Sequence, residues 1–285
     1  MALTFWGAFY KSSLRRVARR AGLTSLWSLP SRVRSVIWRW RYRRAGAPPQ
    51  VRVEIAGIAA QFRITSASEM ERAMRFDGER RILARLLRET RLGDTVCDVG
   101  ANLGFYSILL AKAVGPGGSV MAFEPERGVL ARMQENAGLN GLPSIRFFDV
   151  ALGETDATVS LAVDGQSGSG LHIMAGAEQE VRPGFATREV RQVRGDRFIS
   201  DQGLPIPAIV KVDVEGMERE VLRGLEGVLT VPRCRLVLCE VHFGLLDRMG
   251  KSSAPVDIET LLRKSGFSRI EWLNRSHLLA SKREI

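Results

Sequence analysis

The chain has 285 residues, 45% of them hydrophobic and 26% charged, enough for one α/β domain with a buried core plus further segments. Its net charge of +11 sits at the N terminus: residues 1–53 hold Lys11 and eleven arginines and no acid, so the rest is near neutral and no specific nucleic-acid partner is expected. No apolar run reaches the roughly 20 residues of a membrane span, and Cys97, Cys234 and Cys239 form no C-x-x-C pair, as expected of buried thiols in a cytoplasmic protein.

The basic arm comes first. Leu14, Val17, Ala18 and Ala21 recur at helical spacing beside Arg15, Arg16, Arg19 and Arg20, and after Pro30 the pattern returns with Val33, Val36, Ile37 and Trp40. Trp6, Trp27, Trp38 and Trp40 all lie here. Arginines beside interfacial aromatics predict a segment, residues 11–44, that rests on an anionic membrane surface, which makes the protein peripheral. A basic tail, a helix packed on the body and an organellar presequence are the competing readings. The apolar start precedes its basic residues, the reverse of a secretory signal. Residues 1–50, ending in the Ala45–Pro49 linker, are read as one unit, 51–90 as a hairpin and helix, and 91–285 as the main domain. Nothing in the sequence sets an oligomeric state.

Val51–Ile55 and Gln61–Ile64 alternate in period two around Gly57, which predicts a hairpin. Residues 68–90 are helical in pattern. Strands are predicted at 95–98, 120–124, 145–149, 208–213 and 235–242, with helices at 105–114, 126–139 and 217–229. Such alternation implies a parallel sheet covered on both faces. Segments 268–273 and 277–282 read as a closing antiparallel hairpin, giving a mostly parallel seven-stranded sheet. Residues 155–195 break the alternation and read as a β-rich insertion near the ligand cleft.

Asp98-Val99-Gly100-Ala101-Asn102-Leu103-Gly104 joins the first of these strands to a helix, the place where α/β sheets hold nucleotide-like ligands. Its acid leads, in the order D-x-G-x-N-x-G. A carboxylate there suits a positively charged ligand and repels a pyrophosphate. S-adenosylmethionine, with an ammonium and a sulfonium, is such a ligand. The candidate cofactor residues are Asp98, Gly100, Asn102 and Gly104, with Glu124 accepting from ribose hydroxyls and Asp149 from the adenine amine. Against these stand a helix N-terminal charge for Glu124, a turn role for Asp149 and tolerance of left-handed backbone for Asn102.

The fourth strand reads Val210-Lys211-Val212-Asp213-Val214-Glu215-Gly216, and period two places Lys211, Asp213 and Glu215 on one face. Three charges on a central strand are costly unless they pair or line a cleft. Glu240 and His242 stand two apart on the next strand. Lys211, Asp213, Glu240 and His242 are the catalytic candidates; a Lys–Asp pair bracing the sheet and a packing histidine are the plainer readings. The carboxylates cluster, but no spacing compels a metal.

The ordered motifs Gly93–Gly104, Ala122-Phe123-Glu124-Pro125, Asn136 with Leu139-Asn140, Val150-Ala151-Leu152-Gly153 and Val210–Gly216 resemble the FkbM family of S-adenosylmethionine-dependent O-methyltransferases over about residues 75–245. The resemblance implies a Rossmann-like class I methyltransferase fold with S-adenosylmethionine as cofactor. It also implies methylation of a hydroxyl on a glycan, glycolipid or polyketide-like metabolite, so the acceptor is a small molecule or a glycan or lipid-linked species. At Gly195-Asp196 the family tends to show an apolar residue before the aspartate. In the expected in-line displacement His242 or Asp213 takes the hydroxyl proton, and Lys211 and Glu240 orient the base or the acceptor. A nicotinamide-dependent oxidoreductase and a membrane-surface module with an inactive methyltransferase body are the alternatives.

Overall fold

The computed structural model describes residues 50–66, 69–70, 72–73, 79–163, 172–175 and 186–282. The basic arm at 11–44 and the Gly/Ser stretch at 165–170 lie outside them. Strands β1 (Gln50–Ile55) and β2 (Ile58–Arg63) pair antiparallel. Their two-residue turn holds Ala56 at φ 50° and Gly57 at φ 82°, the positive pair that a type I′ hairpin requires. Helix α1 (Glu79–Glu89) buries Ile82, Leu83, Leu86 and Leu87 as one stripe.

The main sheet contains β3 (Thr95–Val99), β4 (Ser119–Phe123), β5 (Ile145–Phe148), β10 (Ile209–Val212), β11 (Leu236–Glu240), β12 (Arg269–Trp272) and β13 (His277–Ser281). Their spatial order is β12-β13-β11-β10-β3-β4-β5, parallel except for β13, which runs antiparallel to both neighbours. This is the Rossmann-like sheet with a closing hairpin. Helix α2 (Phe105–Val114) follows β3, and α3 (Arg127–Leu139) follows β4. Period two then sorts the strand residues between two cores. Val96, Val120, Ala122, Ile209 and Leu238 join the core that contains the β1–β2 hairpin, α1 and α2. Cys97, Val99, Met121, Val210, Val212 and Cys239 face the opposite core. Burial on both sides is why these strands read as apolar runs rather than as alternations.

A second sheet of order β6-β9-β7-β8 is built from β6 (Ala151–Gly153), β7 (Ala157–Val163), β8 (His172–Ala175) and β9 (Ala186–Arg194). Leu152, Leu161 and Val193 carry it against or beside the main domain's core. Arg188 of β9 contacts Glu126 at 2.6 Å, and Glu126 caps α3 by accepting from Val129 N at 2.6 Å.

Several elements differ from expectation. The helix expected at 217–229 divides at Leu225 into α5 (Glu218–Gly224) and α6 (Glu226–Leu229). Three further helices appear: α4 (Gly195–Asp201), α7 (Phe243–Arg248) and α8 (Ala254–Lys264), the last with Pro255 in its first turn. Gly195 is a glycine because a Cβ there would stand 2.7 Å from Leu225 Cδ2. Asp196 beside it is structural: it receives a two-point contact from Arg194 at 2.8 and 2.9 Å and accepts from Gly227 N, so it ties β9 and α4 to α6. Among the described residues no helix is long and apolar enough to cross a membrane.

The hairpin is fastened to the site by two asparagines. Asn140 exchanges hydrogen bonds with the backbone of Gln61, at 2.9 and 2.7 Å. Asn136 accepts from Arg63 N at 2.8 Å and donates to Leu103 O at 3.2 Å, which links β2 to the glycine loop.

Candidate active site

The glycine loop is positioned by β4: Gly100 N and Ala101 N both donate to Phe123 O at 3.0 Å. Gly100 sits at φ +73°, and a Cβ added to it would stand 1.9 Å from Asp213 O, so a backbone this close to β10 admits only glycine. Asn102, at φ 50°, accepts the left-handed geometry that asparagine tolerates. Its N–H donates to Glu124 Oε2 at 3.0 Å, while Glu124 Oε1 accepts from Glu126 N at 3.0 Å. Glu124 lines the cavity. Gly104 lies away from the cavity wall; a side chain there would meet Met133 Cγ at 2.7 Å, so its role is to seat the loop on α3.

Two further cofactor candidates lie outside the cavity lining. Asp98 does not line the cavity: it is 0% exposed, 3.1 Å from Lys211 Nζ, and accepts from Ser107 Oγ at 2.6 Å. The reason is period two, which turns Asp98 and Lys211 to the α2 side of adjacent strands in matched register. Lys211 also donates to Gly100 O at 3.0 Å and lies over the Tyr106 ring. The pair that braces the sheet is thus Lys211 with Asp98 of the neighbouring strand, whereas Lys211 stands 3.6 Å from Asp213 on its own strand's end. Asp149 is half exposed, outside the cavity wall, and pairs with Arg127 at 3.2 Å.

A cavity of about 280 Å³ opens over the carboxyl ends of β3, β4, β10 and β11. One wall is the loop with Glu124, and an apolar wall comes from Phe123, Val150, Leu152 and Leu161. The opposite end carries Glu79, Asp213, Glu215 and Glu240, with Lys211, Arg72 and His242 among them. The backbone cradle at Gly100, the carboxylate of Glu124, the apolar wall and the nearby acids suit in turn a ligand backbone, ribose hydroxyls, an adenine and a cationic sulfonium amino acid. The residues present therefore fit S-adenosylmethionine.

The acid end is not a strand face. β10 stops at Val212, and Asp213 and Glu215 reach the cavity through a loop in which Glu215 is left-handed at φ 48° and Gly216 at φ 90°. Likewise β11 stops at Glu240, and His242 stands at the start of α7. His242 Nδ1 lies 2.6 Å from Oε1 of Glu218, which is 0% exposed, while Nε2 faces Glu215 at 3.5 Å and Asp213 at 3.8 Å. Burial opposes its charge, yet the Glu218 hydrogen bond and the surrounding carboxylates push its pKa up to about 9. The same contacts favour the protonated form of His242 at neutral pH in the free protein. Burial opposes the charge on Asp213 as well, but Lys211 beside it holds its carboxyl below the usual range. Burial and Asp213 raise Glu240, and burial with the neighbouring carboxylates lifts Glu215 to about 7 against the pull of His242. Glu79 is raised by burial and Asp213. Glu79, Arg72 and Glu218 are site residues that reading by period did not select, and Glu215 joins them from the charged face that period two marked.

A Rossmann-like sheet with this loop, Glu124 and an acid-lined cavity defines a class I methyltransferase site. The family model for the methyltransferase FkbM domain matches residues 98–269, more than half of the chain, and the chain belongs to that family. It is a methyltransferase, and its cavity lining fits S-adenosylmethionine as the methyl donor. The chain is 28% identical over 223 residues to the hexuronic acid methyltransferase AglP of Haloferax volcanii, covering 78% of this chain and 84% of that one. It is 30% identical over 204 residues to the 31-O-demethyl-FK506 methyltransferase FkbM of Streptomyces tacrolimicus, covering 63% and 75%. Among solved structures, the methyltransferase FkbM of Methylobacillus flagellatus superposes with a TM-score of 0.44 at 16% identity, over 66% of this chain and 43% of that one. A SAM-dependent O-methyltransferase of Thermotoga maritima gives 0.43 at 14% identity, over 72% and 67%.

Proposed function

We propose that this chain transfers a methyl group to a hydroxyl oxygen of a sugar or polyketide-like acceptor. S-adenosylmethionine, when bound, supplies a methyl already activated by its sulfonium. What the chain's residues must then provide is alignment of the acceptor and removal of its proton. The observation that carries the reading is the grouping of Glu79, Asp213, Glu215 and Glu240 at one end of a cavity whose other end is the glycine loop. Carboxylates there accept hydrogen bonds from neutral hydroxyls and repel an anionic acceptor group. That favours a hydroxyl over a carboxylate as the methylated atom. The relatives' names, a hexuronic acid and a demethylated polyketide, support acceptors rich in oxygen.

Within the cluster the roles divide by partner. Asp213 is held by Lys211 at 3.6 Å, and Glu240 by Ser276 and His277 at 3.4 and 3.5 Å. Glu215 lies 3.5 Å from His242, keeps a quarter of its side chain accessible, and lines the cavity. It is the carboxylate assigned to accept the hydroxyl proton, with Asp213 and His242 orienting it. Methyl-labelled cofactor offered with neutral sugars, uronic acids and hydroxylated macrolides tests the reading. Label retained in an alkali-stable ether is the expected result; label in an alkali-labile ester would overturn it.

A further inference from the structure

On the reading that S-adenosylmethionine is the methyl donor, we propose that the hydroxyl of Tyr106 donates a hydrogen bond to its α-carboxylate and so recognises the amino-acid end of the cofactor. Tyr106 is the second residue of α2, 7% exposed, and lines the cavity. Its ring is seated under Lys211 Nζ, 5.3 Å from the ring centre.

The hydroxyl is the unusual part. Among the described residues no group hydrogen-bonds it. Nor is it one of the polar atoms sealed away without a partner, so the open space it reaches is the cavity that Tyr106 lines. A tyrosine this deeply buried ordinarily finds a partner for its O–H within the protein. Here that partner has to come from a ligand.

The surroundings select the ligand atom. Burial first, then Glu79, Asp213 and Glu240, hold the phenol proton far above its usual range. The group is therefore an O–H donor, and the three carboxylates that act on it are those of the acid end. The amino-acid end of S-adenosylmethionine carries an ammonium and a carboxylate. Its ammonium has these acids to bind, but its carboxylate enters among groups of its own sign and needs donors. Lys211 is engaged with Asp98 and Gly100 O, and His242 Nδ1 with Glu218. Arg72, on the same wall, works against the rise that burial and Asp213 give Glu79, so its charge is answered by an acid. Tyr106 brings an O–H with no protein acceptor. A phenol also suits the place chemically, because it donates to an anion without adding a cation that would repel the ammonium and the sulfonium.

Calorimetry on the full-length chain and on Tyr106→Phe, each with S-adenosylmethionine and with its decarboxylated form, tests this without any acceptor. The decarboxylated form keeps the ammonium and the sulfonium and lacks only the carboxylate. Tyr106→Phe keeps the ring and its place under Lys211. It should weaken S-adenosylmethionine binding about tenfold or more, as expected for a lost hydrogen bond to a charged group, and change binding of the decarboxylated form less than about twofold. Unchanged affinity for S-adenosylmethionine, or an equal loss for both ligands in a variant that melts with the wild type, would overturn the assignment. Where the variant melts earlier, the wild-type chain decides: the infrared band of a ¹³C-labelled cofactor carboxylate should shift on binding, and an unshifted band would overturn the assignment. A wild-type chain that binds no S-adenosylmethionine would instead refute the donor reading itself.

Discussion

The two ends of the cavity use carboxylates in opposite ways. On the glycine-loop side, Asp98 is spent on Lys211 and Ser107, and Glu124 on the backbone of Asn102 and Glu126. On the other side, Glu79, Asp213, Glu215 and Glu240 share one space with fewer cations, and three of the four are raised in pKa by burial and one another. The first arrangement builds a rigid cradle, and the second stores proton-accepting or cation-binding capacity. Burial and partners, and not the residue type, assign the work.

The sharpest way to break this contrast is to spoil the cradle. Gly100→Ala forces a Cβ to within 1.9 Å of Asp213 O in left-handed backbone, and should weaken S-adenosylmethionine binding by about 100-fold or more, ~2.7 kcal/mol by calorimetry. Unchanged affinity would mean the loop does not bear on the ligand.

Lys211→Met leaves Asp98 buried without its cation and should cost about 3–5 kcal/mol in urea unfolding. Adding Asp98→Leu should restore most of that loss, because it is the stranded charge that destabilises. Additive losses would show that the pair is not a unit. Glu124→Gln keeps the shape but weakens acceptance from Asn102 N and from ribose hydroxyls, and should lower cofactor affinity about tenfold, ~1.4 kcal/mol.

The smallest effect concerns Asp196, far from the chemistry. Burial opposes its charge, but Arg194 and the N–H groups of Gly227 and Arg197 hold its carboxyl below the usual range. A lowered carboxylate pKa contributes stability above the unfolded value, and that contribution is lost as pH falls through the folded value. Asp196→Asn should therefore cost about 1 kcal/mol at neutral pH and progressively less in strong acid. A penalty that does not change with pH would sever the link to its charge.

The cradle was readable from the amino acids because its signals are local. Apolar runs mark the strands, and D-x-G-x-N-x-G marks a tight turn into a helix. The acid end was only half readable. Period two found Lys211 but failed beyond Val212, where Glu215 turns left-handed and brings Asp213 and Glu215 round to the cavity by a loop. Asp98 was placed on the right strand and given the wrong partner, since the register of β3 against β10 is a long-range fact. Glu79 reaches the cavity from α1, and Glu218, at the start of α5, sets the charge of His242 through a single 2.6 Å contact. Neither carries a mark in its own neighbourhood of sequence. The α8 start had one, Ser253-Ala254-Pro255, that strand-counting passed over.

The most direct test of the division between cradle and acid end is Glu215→Gln, measured for cofactor affinity and for single-turnover methyl transfer on the same preparation. Cofactor affinity within about threefold of wild type, with turnover lowered about 10²-fold, is the expected pair of results. Unchanged turnover, or loss of cofactor binding in step with turnover, would contradict the assignment of proton removal to the acid end and of donor binding to the cradle.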